Sequence, residues 1–320
     1  MGLVISAVIP LYNKAPYVAR ALESVLAQTV PAIEAIVVDD GSTDGGGDIA
    51  AGYAKRGVRL IRQENQGVSA ARNRGIDEAQ SDLIAFLDAD DEWLPGFLAT
   101  IARLTAVYPA CGAYAQAVNL VATGGKRWTH VCDGIPAFPW EGLIPNYFRS
   151  APTYPVCASA VAVPRYVFDD VGLFPVGVAH GEDIDMWTRI ALKYRMCLST
   201  QVGAVYHKEA ENRTNALGQP QSEYCFVGVV REALKSGLVT PEQRQDAFEF
   251  IAHFQTEIAS TNIRIGNPRY ARQLLLSCRG TRKYARGWRR LMLQTLLPPG
   301  WPARLKAARH AMRNLAGCHE

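Results

Sequence analysis

Three acids among four residues, Asp88, Asp90 and Asp91, follow directly on the apolar run Leu83-Ile84-Ala85-Phe86-Leu87. Carboxylates crowded in this way raise one another's cost of ionisation unless a cation sits among them. Mn²⁺ or Mg²⁺ suits such a place, because hard cations take carboxylate oxygens and keep positions open for phosphate. The other reading is a helix N-terminus with acids in its first turn, since Trp93-Leu94-Pro95 leads into a helical pattern. A second cluster, Asp39-Asp40-Gly41-Ser42-Thr43-Asp44, either offers a strand-end acceptor to a ligand N–H or closes a turn with an Asx cap. A third, Glu182, Asp183 and Asp185, opens a helical pattern, where the helix dipole alone would account for acids.

These clusters must be positioned by the elements that precede them. Val4–Pro10 reads as a first strand, and Pro16 opens a helix with Val18, Leu22, Val25 and Leu26 on one side. Strands at Ala35–Val38, Val58–Ile61 and Leu83–Leu87 follow, with a helix from about Val68 to Ala79 whose small residues suit close packing. That alternation predicts an α/β fold with a largely parallel sheet, its ligand crevice beyond the strand ends. Val38 and Leu87 both hand over to acids, so the two clusters should share one crevice. Ala113–Val121 is a further strand, and an irregular aromatic segment from Thr123 to Tyr154 carries Trp128, Trp140 and Tyr147, which suit local core or sugar stacking. Ala158–Val163 and Gln201–Tyr206 complete the strands, and Arg165 begins a short helix. From Ile184, Trp187, Ile190, Ala191 and Tyr194 a helix follows, its acids off the buried face. After about Ser222 the pattern is helical: Tyr224–Lys235, Pro241–Ile265 and Arg269–Cys278. The expected division is 1–215 for the catalytic domain and 216–320 for a helical, basic region.

Composition narrows the function. The chain has 320 residues, 48% hydrophobic and 20% charged, without a run long enough to span a bilayer or a charged leader. Seven scattered cysteines without a Cys-x-x-Cys pair suit reduced thiols, so a cytoplasmic location is expected. The net charge of +4 conceals thirteen basic residues and one acid from Arg264 onward, leaving about −8 before that point. An acidic cleft argues against nucleic acid as partner. The dinucleotide fingerprint, the P-loop and the Gly-x-Ser-x-Gly elbow are all missing from the sequence. What remains is a carboxylate-lined crevice suited to a metal-bound diphosphate.

Five ordered strings now resemble a known family: Val8-Ile9-Pro10-Leu11-Tyr12-Asn13, Val37-Val38-Asp39-Asp40-Gly41-Ser42-Thr43-Asp44, Asn65-Gln66-Gly67-Val68-Ser69-Ala70-Ala71-Arg72-Asn73, Asp88-Ala89-Asp90-Asp91 and Gly181-Glu182-Asp183. Together they are similar to glycosyltransferase family 2, over roughly residues 3–210. The resemblance implies an inverting transferase of the GT-A fold with a nucleotide-sugar donor, most simply a UDP-sugar carrying a hexosyl or N-acetylhexosaminyl group. It implies Asp40 on N3 of uracil, Tyr12 beside the base and Pro10 beneath it, and Arg72 on base or phosphate. Asp88, next to Ala89, would hold ribose or donor sugar, and Asp90 would bind Mn²⁺ or Mg²⁺ with the diphosphate. Asp183 aligns with the catalytic base, and one base suffices for a single displacement at the anomeric carbon. Glu182 would orient the acceptor, Asp91 would cap the helix near Trp93, and Trp187 would pack in the core. His207 sits where some members complete the metal site, a lone His being equally compatible with a structural role. Arg213 could clamp phosphate.

The acceptor would be a hydroxyl of a glycan or lipid-linked oligosaccharide in cell-surface polysaccharide synthesis. Arg282, Lys283, Arg286, Arg289 and Arg290 stand beside Trp288, Leu291, Met292 and Leu296, and Trp301, Leu305, Ala308, Met312 and Leu315 recur opposite Arg304, Arg309 and Arg313. Such basic amphipathic helices suit peripheral contact with an anionic membrane, or else a packed cap or dimer face. Two alternatives from other classes are a sugar-phosphate nucleotidyltransferase, whose Gly-rich loop is missing, and a non-catalytic glycan-binding partner, which would not need Asp90 or Asp183.

Overall fold

The computed structural model describes residues 4–122, 124–208 and 222–297. Arg213 and the pattern from Trp301 to Leu315 lie outside the described residues. The chain divides into two compact units, Met1–Thr214 and Asn215–Glu320.

The first unit begins with strand β1 (Ile5–Leu11), helix α1 (Ala15–Leu26), β2 (Glu34–Asp39), α2 (Gly46–Ala51), β3 (Val58–Arg62), α3 (Val68–Glu78) and β4 (Leu83–Phe86). β1 is buried along its whole length, as a strand covered by helices on both faces must be. Pro16 falls in the first turn of α1, and Val18, Ala21, Leu22 and Val25 form its buried face. α3 lies close on the sheet because its inner positions are small. A Cβ on Gly75 would stand 2.2 Å from Val8 Cγ1, so only hydrogen fits there. β3, β2, β1 and β4 are parallel neighbours in that order. Leu11 is in register with Asp39, and Leu87 N–H donates to Val8 O at 3.1 Å. Tyr12, Asp40 and Asp88 therefore leave the sheet along one edge.

Beyond β4 the pairing changes. β5 (Glu92–Trp93), α4 (Phe97–Val107), β6 (Ala113–Val121), β7 (Arg127–Thr129), β8 (Glu141–Leu143), α5 (Tyr147–Ser150), β9 (Val161–Pro164), α6 (Arg165–Val171), α7 (Glu182–Lys193) and β10 (Met196–His207) follow. β9 lies antiparallel between β4 and β6, while β6 and β10 are parallel. The sheet is thus parallel in its first half and mixed in its second. β10 starts earlier than the apolar pattern suggested, and register shifts between Ser199, Val202 and Ala204 explain why alternation failed to mark it. Two further sequence expectations are corrected here. Trp93 belongs to a short strand rather than a helix start, and Ala158–Ala160 is a 3-10 turn before β9.

The second unit contains α8 (Cys225–Ser236), α9 (Arg244–Arg264), α10 (Pro268–Ser277) and α11 (Ala285–Gln294). Phe226, Phe250 and Phe254 interlock in its interior with ring centroids 4.7–5.6 Å apart. Buried Glu249 accepts from Thr281 Oγ1, Arg282 N and Lys283 N, which seats the turn before α11. Trp288 donates its indole N–H to Leu275 O at 2.7 Å and packs on the core formed by Ile258, Leu274 and Leu291. Trp288 is partly buried there. Among the described residues no helix is long and apolar enough to cross a membrane.

Candidate active site

The edge where β1, β2 and β4 end is built by crosslinks between their exit loops. Asn13 N donates to Ser42 Oγ at 3.0 Å, Thr43 N donates to Asn13 Oδ1 at 2.8 Å, and Ala15 N donates to Asp44 Oδ2 at 2.8 Å. Asn13 takes up φ 50° to do this, a conformation that Asn adopts more readily than most residues. Tyr12 is left 47% exposed, which makes its ring available to a flat ligand at the strand ends. Pro10 and Ala89 are buried.

Asp40, expected at the base, is engaged by its own chain. Its Oδ1 accepts from Gln63 Nε2 at 2.7 Å and Gln66 N at 2.9 Å, and its Oδ2 accepts from Gly67 N at 2.8 Å. It is only 2% exposed. In this structure its visible task is to fix the loop that leads into α3, whose first residue follows Gly67.

That helix delivers Arg72, the organising cation of the site. Its guanidinium reaches Asp88 Oδ1 at 2.8 Å and Glu182 Oε1 at 2.9 Å, and lies 5.4 Å above the Phe174 ring. Arg72 is 3% exposed, and its Nε has no hydrogen-bond partner among the described residues. Burial is the largest influence on its pKa and pulls it down, but Asp88, Glu182 and Asp183 together hold it above the ordinary arginine value. Phe174 is fixed in turn by Asn73, whose side chain exchanges hydrogen bonds with its main chain at 2.8 and 2.9 Å. α3 thus ties the acids after β4 to the start of α7.

At that start, Gly181 with φ 80° turns the chain so that Glu182 and Asp183 open the helix. Asp183 Oδ1 accepts from Ile184 N at 2.8 Å. Its carboxyl is pushed up to about 6, by burial first and then by the charge of Glu182, against the pull of Arg72. A carboxyl in that range ionises near neutrality and still takes up a proton, the property a general base needs. Asp185 departs from expectation. It is buried at 4% and pairs with Arg189 at 2.7 Å, one turn along. Trp187 is in the core, 2% exposed.

The acids after β4 divide by partner. Asp90 faces Lys14 at 2.9 Å, and its carbonyl accepts from Arg20. Asp91, expected as a helix cap, is instead fully buried, accepting from Ser159 Oγ and, at 2.9 Å, from His207 N. Burial, then Asp90, then Asp88 raise its pKa well above the usual carboxylate range. The His207 ring turns its Nε2 to Glu92 Oε1 at 3.1 Å. Among the described residues no three His, Cys, Asp or Glu side chains form a metal-holding group. Mg²⁺ and its like, however, are commonly held by one or two carboxylates plus the substrate's phosphates. Asp90 fits that donor chemistry, since a cation, Lys14, already lies against it.

Sequence reading missed Lys14, Ser159 and Phe174. Lys14 and Ser159 carry no motif, and Phe174 lies outside every acid cluster. Only the proximity made by folding marks them.

A family model, glycosyl transferase family 2, matches residues 6–155. An uncharacterized glycosyltransferase of Escherichia coli K12, YibD, is 46% identical over 99 residues, covering 30% of this chain and 29% of that protein. The glycosyltransferase AglE of Haloferax volcanii is 31% identical over 198 residues, covering 58% of this chain and 60% of that protein. The chain therefore matches under a third of YibD and 60% of AglE. In fold it resembles S. aureus TarS 1–349, solved with UDP-GlcNAc, at a TM-score of 0.68 and 17% identity over 91% of this chain and 90% of that one.

Proposed function

We propose that this chain, which belongs to glycosyl transferase family 2 through residues 6–155, is an inverting, metal-dependent glycosyltransferase that moves a sugar from a UDP-sugar to a hydroxyl of a glycan. The observation that carries the reading is the Arg72 bridge between Asp88, after β4, and Glu182, the neighbour of Asp183, whose carboxyl is pushed up to about 6. The UDP-GlcNAc complex of TarS, a structure of the same fold, supports a UDP-sugar donor.

In this reading Tyr12 and the loop held by Asp40 receive the base, with Pro10 beneath it. Asp88, next to Ala89 and steadied by Arg72, holds ribose or donor sugar hydroxyls. Asp183 accepts the proton of the acceptor hydroxyl as its oxygen attacks the anomeric carbon from the side opposite the diphosphate, and UDP departs with the bonding pair. Glu182 orients the acceptor and keeps Asp183 basic by like-charge repulsion. Mn²⁺ or Mg²⁺, held by Asp90 and the diphosphate oxygens, would neutralise the charge gathering on the leaving group. His207 is a second ligand only if it leaves Glu92. Lys14, paired with Asp90 at 2.9 Å, would share that carboxylate with the cation.

The test is release of UDP from a panel of UDP-sugars with glycan acceptors, with and without Mn²⁺. Metal- and acceptor-dependent UDP release supports transfer. Pyrophosphate from UTP and a sugar phosphate would instead establish the nucleotidyltransferase. Asp90→Ala should weaken UDP binding and cut turnover together, by about 10–100-fold each.

A further inference from the structure

On the first unit a cavity of about 130 Å³ opens between β6, β10 and the segment from Thr129 to Phe138. Val118, Ile135, Pro136, Pro155 and Leu198 are among its apolar lining residues. Five of its polar lining side chains have partners. Gln116 donates to Phe97 O, Thr129 to Asn119 Oδ1, Cys132 to Thr153 O and Thr200 to Trp140 O, while His130 Nε2 bonds Thr153 O. A sugar ring, which needs several directed hydrogen bonds, would find few here, whereas an apolar chain loses nothing.

The groove is a built feature. Thr153 alone holds His130, Cys132 and Asp133 through three hydrogen bonds, so the outer wall is fastened to the turn before Tyr154. Tyr154, which lines the cavity, is held at φ 52°, a conformation seldom imposed on an aromatic residue unless its surroundings require it. Val131 and Phe138 extend the wall outward, 79% and 70% exposed. Exposed cations neighbour the lining segments: Arg127 two residues before Thr129, Arg149 packed over Gly134, and Lys208 above the Trp128 ring at 5.2 Å, with the exposed acid Asp133 in the same segment. The inner end adjoins the proposed active site. Cys157 lines the cavity, and two residues on Ser159 binds Asp91 and the Asp88 main chain. Burial, and after it the charges of Asp91, Asp88 and Asp183, push the Cys157 thiol up.

The geometry points to this groove as the seat of the acceptor's stem, an apolar prenyl or alkyl chain joined to the glycan through phosphate, with the first carbons in the cavity and the phosphate among the neighbouring cations. The inference rests on the transferase reading and deepens it by naming the acceptor class. The cavity holds the volume of about four water molecules, so it takes about one five-carbon unit, and the rest of the chain lies along Phe138 and Val131.

The full chain is titrated with geranyl phosphate, geraniol and inorganic phosphate by isothermal titration calorimetry, beside UDP binding and UDP-sugar hydrolysis. Geranyl phosphate should bind at least tenfold more tightly than geraniol, with inorganic phosphate not saturating over the same range. Val131→Asp and Phe138→Asp should each weaken geranyl phosphate at least tenfold and Arg149→Glu several-fold, with UDP binding and hydrolysis unchanged. Binding that ignores all three substitutions, or geraniol binding as tightly as its phosphate, overturns the proposal. UDP-sugar turnover without geranyl phosphate binding overturns the stem alone. Geranyl phosphate binding as described, in a protein that releases no UDP, supports the groove and removes the transferase reading.

Discussion

Asp183→Asn should abolish turnover and, at the same time, make the protein more stable. In the folded chain the carboxyl is pushed from 3.8 to about 6, so the native state holds this proton more tightly than the unfolded chain does. Below about pH 4 both states are protonated and the site costs nothing. As pH rises from 4 to 6 the unfolded chain ionises first and gains, so folding stability falls, and above pH 6 the full cost is present. A shift of about two units corresponds to roughly 3 kcal/mol, a ceiling for a half-buried group, so about 1–3 kcal/mol is expected. Asn keeps the shape and an oxygen for Ile184 N, now bonded at 2.8 Å, without the charge. Thermal unfolding followed by circular dichroism from pH 4 to 8 should show Asp183→Asn ahead at pH 7.5 by about 2–4 °C in Tm per kcal/mol, with the gap closing toward pH 4. UDP binding should persist while acceptor-dependent UDP release disappears. A gap independent of pH, or one that widens toward acid, would refute the desolvation argument. Normal turnover would remove the base assignment.

The remaining predictions concern the same framework. In wild type, kcat/KM should fall below about pH 6 with a slope of one as Asp183 takes up its proton. Glu182→Gln, by deleting the like charge and freeing Arg72, should move that acid limb down by about one unit; an unmoved limb would show that Glu182 does not act on Asp183. Gly75→Ala places a Cβ 2.2 Å from Val8 Cγ1, so α3 must shift, and urea denaturation should report a loss of about 1–3 kcal/mol together with weaker UDP binding through Arg72. Ser159→Ala takes a donor from buried Asp91 and should destabilise by about 1–3 kcal/mol, with the Tm deficit growing as pH rises because the ionised form needs the bond most.

Much of this site was legible because its signals are local. An apolar run that stops at acids marks a strand ending in a crevice, and β1, β2 and β4 do end along one edge. Small residues at Ala71 and Gly75 marked the helix face against the sheet, and both are buried. The second half was less legible for a physical reason. β9 is four residues long and β10 carries register shifts, so neither shows the clean period that a pattern can detect. Asp91 and Asp185 were misread because a carboxylate at a strand or helix end looks the same in sequence whether it faces solvent or its own chain.

The sequence by itself determined the alternation of strands and helices, the acid clusters and the family they resemble, because these depend on residues near one another along the chain. Tertiary structure alone decided the partners: Arg72 between Asp88 and Glu182, Lys14 on Asp90, Ser159 on Asp91. It also raised the proton affinity of Asp91 and Asp183. An acid's proton affinity follows from the burial and charge around it, and residues as far apart as Arg72 and Asp183 become neighbours only when the sheet closes beneath them.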